Sequence, residues 1–117
     1  MNEKGVRIVG ALITGVLDLE GCRVPRDIVL INCRFVAAPV LLSAVIDNLF
    51  LNGSTLPGLR ADRLKAQGNV GLFDVKATGE LRLLGTKLGG DIDCSDAALT
   101  ALIADGAQVE GTFFLQG

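Results

Sequence analysis

A chain of 117 residues with a net charge of −2 and a pI near 4.9 is one domain by length. It lacks the clearly basic balance of a protein that binds nucleic acid by neutralising phosphates. Half the residues are hydrophobic, fifteen are Gly, and Trp, Tyr and His are absent; Leu, Val, Ile and Ala must therefore fill the interior, which suits a narrow and regular one.

From the N-terminus, residues 8–17 (IVGALITGVL) follow Lys4 and Arg7 much as a signal-peptide core would. The same residues fit a phrase that recurs down the chain, and they are read as its first instances. The phrase is clearest in VLDLEGCRV (16–24) and ELRLLGTKL (80–88). Two apolar residues stand two apart, then come a turn residue, a small residue and one more apolar residue. Side chains that point the same way at i and i+2 define a very short strand, because a strand has a side-chain period of two.

The first inward pair of each phrase falls at Val6 and Ile8, Leu17 and Leu19, Ile28 and Leu30, Pro39 and Leu41, Leu49 and Leu51, and Leu59 and Ala61. It continues at Val70 and Leu72, Leu81 and Leu83, Ile92 and Cys94, Leu102 and Ala104, and Phe113 and Leu115. The second pair begins with the small residue, at Ala11, Cys22, Cys33, Ala44, Ser54, Leu64, Val75, Thr86, Ala97 and Ala107, and ends two residues later. Between the pairs stand Gly10, Gly21, Asn32, Gly53, Asp74, Gly85, Asp96 and Gly106, types that tolerate a positive φ, with Ser43 and Arg63 as exceptions. A second corner precedes each new phrase, at Gly15, Pro25, Asp47-Asn48, Pro57-Gly58, Gly68-Asn69, Gly79, Gly89-Gly90 and Gly111. Strand, corner, strand, corner describes a solenoid. No apolar run approaches the roughly 20 residues of a membrane helix.

From Pro39 to Ala66 the inward sites keep an unbroken five-residue period, and Ser54-Thr55-Leu56-Pro57-Gly58 resembles the pentapeptide repeat family. The resemblance covers nearly all the chain, with extra residues at most of the second corners. It implies an all-β fold: a right-handed parallel β-helix with four sides and about five coils of roughly 21 or 22 residues, one domain over 1–117. On that scheme like residues stack, as in Ile8, Leu30, Leu51, Leu72, Cys94, Leu115 and in Ile13, Phe35, Leu56, Ala77, Leu99. A three-sided coil is the alternative, and the five-residue stretch argues against it. LDLEGCRV and LRLLGTKL are also similar to repeats of long bacterial proteins often labelled membrane-associated oxidoreductase.

Little in the pattern points to catalysis. Cys22, Cys33 and Cys94 take inward sites, where Cys is a small hydrophobe, and no His is present to activate them. An odd number of Cys with no C-x-x-C pair suggests reduced thiols and a cytoplasmic setting. Asp91, Asp93 and Asp96 resemble calcium-binding loops of β-solenoids only faintly: Asp93 should face outward from mid-strand while the other two belong to opposite corners. Gly89-Gly90 leads into no Lys-Ser or Lys-Thr pair, so it is no phosphate loop. No catalytic, cofactor or metal site is expected.

The outward residues are more informative. Arg23, Arg34, Lys65, Lys76 and Lys87 occupy one outward register, and Arg60, Lys65, Arg82 and Lys87 form a candidate basic patch tempered by Glu20, Asp62 and Glu80. Val9, Val29, Ile31, Phe50, Phe73 and Phe114 should share one side of the rod, a candidate interface. Neither Met1-Asn2-Glu3-Lys4 nor Phe113-Phe114-Leu115-Gln116-Gly117 makes a polar cap, which suggests a segment of a longer solenoid or association through the ends. The expected function is a non-enzymatic scaffold that binds protein, another copy of itself included, through flat faces. The resemblances imply two alternatives: a DNA-mimicking rod that binds topoisomerases, and part of an oxidoreductase. The outward bases weigh against the first, while Asp91, Asp93, Asp96, Asp105 and Glu110, with no base after Lys87, favour it.

Overall fold

A computed structural model describes residues 6–114, which form eighteen short β-strands and no helix. The two end segments of the chain, including Leu115, lie outside the described residues. Every strand pairing is parallel. Val6 pairs with Ile28, and the column continues through Leu49, Val70, Ile92 and Phe113, so one coil takes 21 or 22 residues.

Four faces close each coil. The first holds Val6–Val9, Ile28–Ile31, Leu49–Phe50, Val70–Gly71, Ile92–Asp93 and Phe113–Phe114. Leu12–Ile13, Arg34–Phe35, Thr55–Leu56 and Lys76–Ala77 make the second, which a bridge from Lys76 to Ala98 extends. Leu59–Arg60, Glu80–Arg82 and Ala101–Ile103 make the third, extended the other way through Val40 to Asp18. The fourth holds Arg23–Val24, Val45–Ile46, Lys65–Ala66, Lys87–Leu88 and Gln108–Val109. Each phrase of the sequence thus spans two faces, and a coil takes two phrases. The three-sided alternative is excluded.

All ten residues between the inward pairs have positive φ, from 54° to 71°. Gly, Asn and Asp take this conformation readily, and Ser43 and Arg63, the two exceptions in the sequence pattern, take it as well, at 58° and 60°. The turn is therefore imposed by the coils above and below, against a local preference of about 1 kcal/mol. At the opposite corner of the second face, a Cβ on Gly79 would collide with the Pro57 carbonyl oxygen of the neighbouring coil. Only Gly allows the two backbones to approach so closely there.

The inward ladders form one core, with Leu49, Leu51, Leu64, Leu72, Leu81 and Leu83 fully buried. Ser54 is buried with its hydroxyl donating to the Leu30 carbonyl at 2.8 Å and accepting from Cys33 N at 3.1 Å. Thr86, equally buried, leaves its Oγ1 without a partner. Burial fades toward the first coil, where the inward-pointing Val6 and Ile8 are each 39% exposed. Cys22 departs from its expected burial for the same reason: it heads the ladder Cys22, Ala44, Leu64, Thr86, Ala107, with no described coil beneath it, and is exposed.

Candidate protein interface on the first face

Strand register determines which outward side chains meet. Down the middle of the first face run Arg7, Val29, Phe50, Gly71, Asp93 and Phe114, one from each coil. Beside them run Val9 and Ile31 and, carried on by backbone hydrogen bonds between coils, Asn52, Phe73 and Ser95. All six apolar residues of the candidate interface therefore lie on this face. Val9, Phe73 and Phe114 are exposed, while Val29, Ile31 and Phe50 are half-buried against their neighbours.

Gly71 shapes the middle of the face. A Cβ there would lie 2.7 Å from Phe50 Cδ1 and 2.8 Å from Asn52 Oδ1, so the Phe50 ring reaches across the glycine toward the next coil. A shallow hollow of about 180 Å³ remains, bounded by Phe50, Gly71, Asp93 and Phe114. Asp93 faces outward here, its Oδ1 accepting from Ser95 N at 2.9 Å. Its charge is felt on the inner side of the strand: burial, aided by the Asp93 carboxylate, pushes the Cys94 thiol up to about 11. That thiol stays protonated at neutral pH.

One edge of the face is held by a polar ladder that the sequence pattern registers only as corner residues. Asn48 Nδ2 donates to Asp27 Oδ1 at 2.8 Å. Asn48 Oδ1 accepts from Asn69 N at 2.6 Å, Asn69 Oδ1 from Asp91 N at 2.8 Å, and Asp91 Oδ1 from Thr112 N at 2.7 Å. The signal available in the sequence was the recurrence of Asn or Asp once per coil at one corner. Asp91 thus ties coils together, while Asp96 sits at the opposite corner in a positive-φ turn. Among the described residues, no three His, Cys, Asp or Glu side chains gather around a potential metal position.

The outward bases are divided among faces. Arg34 and Lys76 lie on the second face, and Arg23, Lys65 and Lys87 on the fourth, which stands across the coil from it. Within the candidate patch, Lys65 stacks on Lys87 and Arg60 on Arg82, on adjoining faces. Arg82 is neutralised, its Nε 3.4 Å from Asp62 Oδ2 and its Nη1 3.6 Å from Glu80 Oε1. Lys65 and Lys87 have no ion-pair partner among the described residues and border a groove of about 340 Å³ with Gln67, Gln108 and Glu110. No helix among the described residues is long and apolar enough to cross a membrane. Comparisons of the chain with protein-family models, with curated proteins and with solved structures give no match.

Proposed function

We propose that this protein is a non-enzymatic scaffold whose first face binds another protein. The observation that carries the reading is the apolar cluster Val9, Val29, Ile31, Phe50, Phe73 and Phe114, in register on one flat sheet face in a chain with only five Phe. Apolar side chains gathered on one outward face mark contact sites, and aromatic residues are enriched at their centres. Charge supports the same choice of face, because the candidate basic patch is split between two other faces and partly neutralised by Asp62 and Glu80. The regular pentapeptide-like stretch from Pro39 to Ala66 supplies a stiff support whose outward residues can vary without disturbing the core.

The test is site-specific photo-crosslinking in the native cell, with a benzoylphenylalanine at position 73 on the first face or at position 76 on the second. A discrete adduct from position 73 that disappears in the Phe50→Asp background, with none from position 76, is the expected result. Equal labelling from the two faces, or none from position 73, overturns the reading.

A further inference from the structure

We infer that the first face pairs with the first face of a second copy of this chain, the two rods lying antiparallel about a two-fold axis at Phe50. The inference rests on the reading of that face as a contact surface and names the partner. Its basis is the order of residues in the central column.

From the first coil to the fifth the column reads Arg7, Val29, Phe50, Gly71, Asp93. A two-fold axis in the plane of the face, parallel to the strands and passing the third coil, brings each coil opposite its mirror number. Arg7 then faces Asp93 of the second copy, Val29 faces Gly71, and Phe50 faces its own counterpart. The neighbouring column obeys the same operation. Ile31 faces Phe73, Asn52 faces itself, and Val9 faces Ser95.

The juxtapositions of the central column are favourable, each for a separate physical reason. Arg7 is exposed and has no ion-pair partner among the described residues, and Asp93 is half-buried with no base in contact. Opposing them twice in one dimer gives charge complementarity at both ends of the contact. In the centre, each Phe50 ring, which lies across its own Gly71, meets Val29 of the second copy, so the two-fold makes the same apolar contact twice. The rods in parallel alignment would instead set Arg7 against Arg7 and Asp93 against Asp93. The contact is small, five of the face's six rows about 4.8 Å apart and two outward columns wide, with Phe114 in the sixth row beyond the paired coils. The area buried falls short of the roughly 1,600 Å² of a standard interface, so the dimer is a weak one that forms with rising concentration.

Sedimentation of the full chain over a concentration series tests this. Wild type is expected to show a reversible monomer–dimer equilibrium that weakens as salt is added. Arg7→Asp and Asp93→Arg should each raise the dimer dissociation constant about tenfold or more, because two favourable pairs become two repulsive ones. The double variant Arg7→Asp/Asp93→Arg should restore the dimer, and Phe50→Asp should abolish it. Circular dichroism confirms folding, and Arg7→Ala, which only trims an exposed side chain, gives a second reading with a smaller loss. A wild type that stays monomeric, single reversals that leave the dimer unchanged, or a double variant that fails to recover it overturns the inference. A monomeric wild type whose position 73 still crosslinks to a different protein overturns the self-pairing alone and leaves the scaffold reading intact.

Discussion

Arg63 holds φ at 60°, in the left-handed region where a side chain crowds its own backbone, and it does so because the coils on either side fix the turn. Replacing it by Gly removes that strain without touching the core, since Arg63 is exposed and, among the described residues, its side chain makes only a long 3.4 Å contact from Nε to Ser43 Oγ. Arg63→Gly is therefore expected to stabilise the protein by about 1 kcal/mol, measured by urea denaturation. A second residue-scale effect concerns pH. The Cys94 thiol, with an ordinary value of 9.0, is raised to about 11 by burial and then by Asp93. The folded state holds its proton more tightly than the unfolded chain, so this contribution to stability is complete below about pH 9 and declines as pH rises toward 11. Cys94→Val should flatten the stability profile in that window. Cys22, exposed, should alkylate in the native protein while Cys33 and Cys94 stay protected until unfolding.

At the scale of the strands and corners, most of what shapes a coil was legible because each position demands a residue type. Inward sites demand apolar bulk, the turn demands Gly, Asn or Asp, and the small residue after it marks where the second strand begins. Ser43 and Arg63 were illegible as turns by residue type and became legible only through their spacing. That the six apolar residues share one outward face was readable, since the side-chain period of a strand decides inward from outward. The outward bases were harder. A shared register in successive phrases does not mean a shared face, because phrases alternate between opposite faces, and so Arg34 and Lys76 part from Lys65 and Lys87. The Asn ladder was hidden because its hydrogen bonds join coils about 21 residues apart and depend on side-chain orientation. Asn69→Ala removes the acceptor for Asp91 N and should destabilise the fold by about 1 kcal/mol, read from the denaturation midpoint. Asn69→Asp, which keeps an acceptor, should recover most of the loss.

Across the whole molecule, contacts run almost entirely between adjacent coils, so local stability follows position along the rod. Amide hydrogen exchange should be slowest between Leu49 and Leu88, where the inward ladders are buried, and fastest in the first coil, where Val6 and Ile8 lie partly open. Equal protection along the rod would contradict this. The Asn and Asp acceptors that bridge coils add a direction to the stack. Asn48, Asn52, Asp62, Asn69 and Asp91 each accept a backbone N–H from the coil that follows in sequence. A finished coil therefore presents a row of fixed acceptors to the segment synthesised next, and the rod is suited to growth in the order in which a ribosome releases it, each layer serving as the mould for its successor.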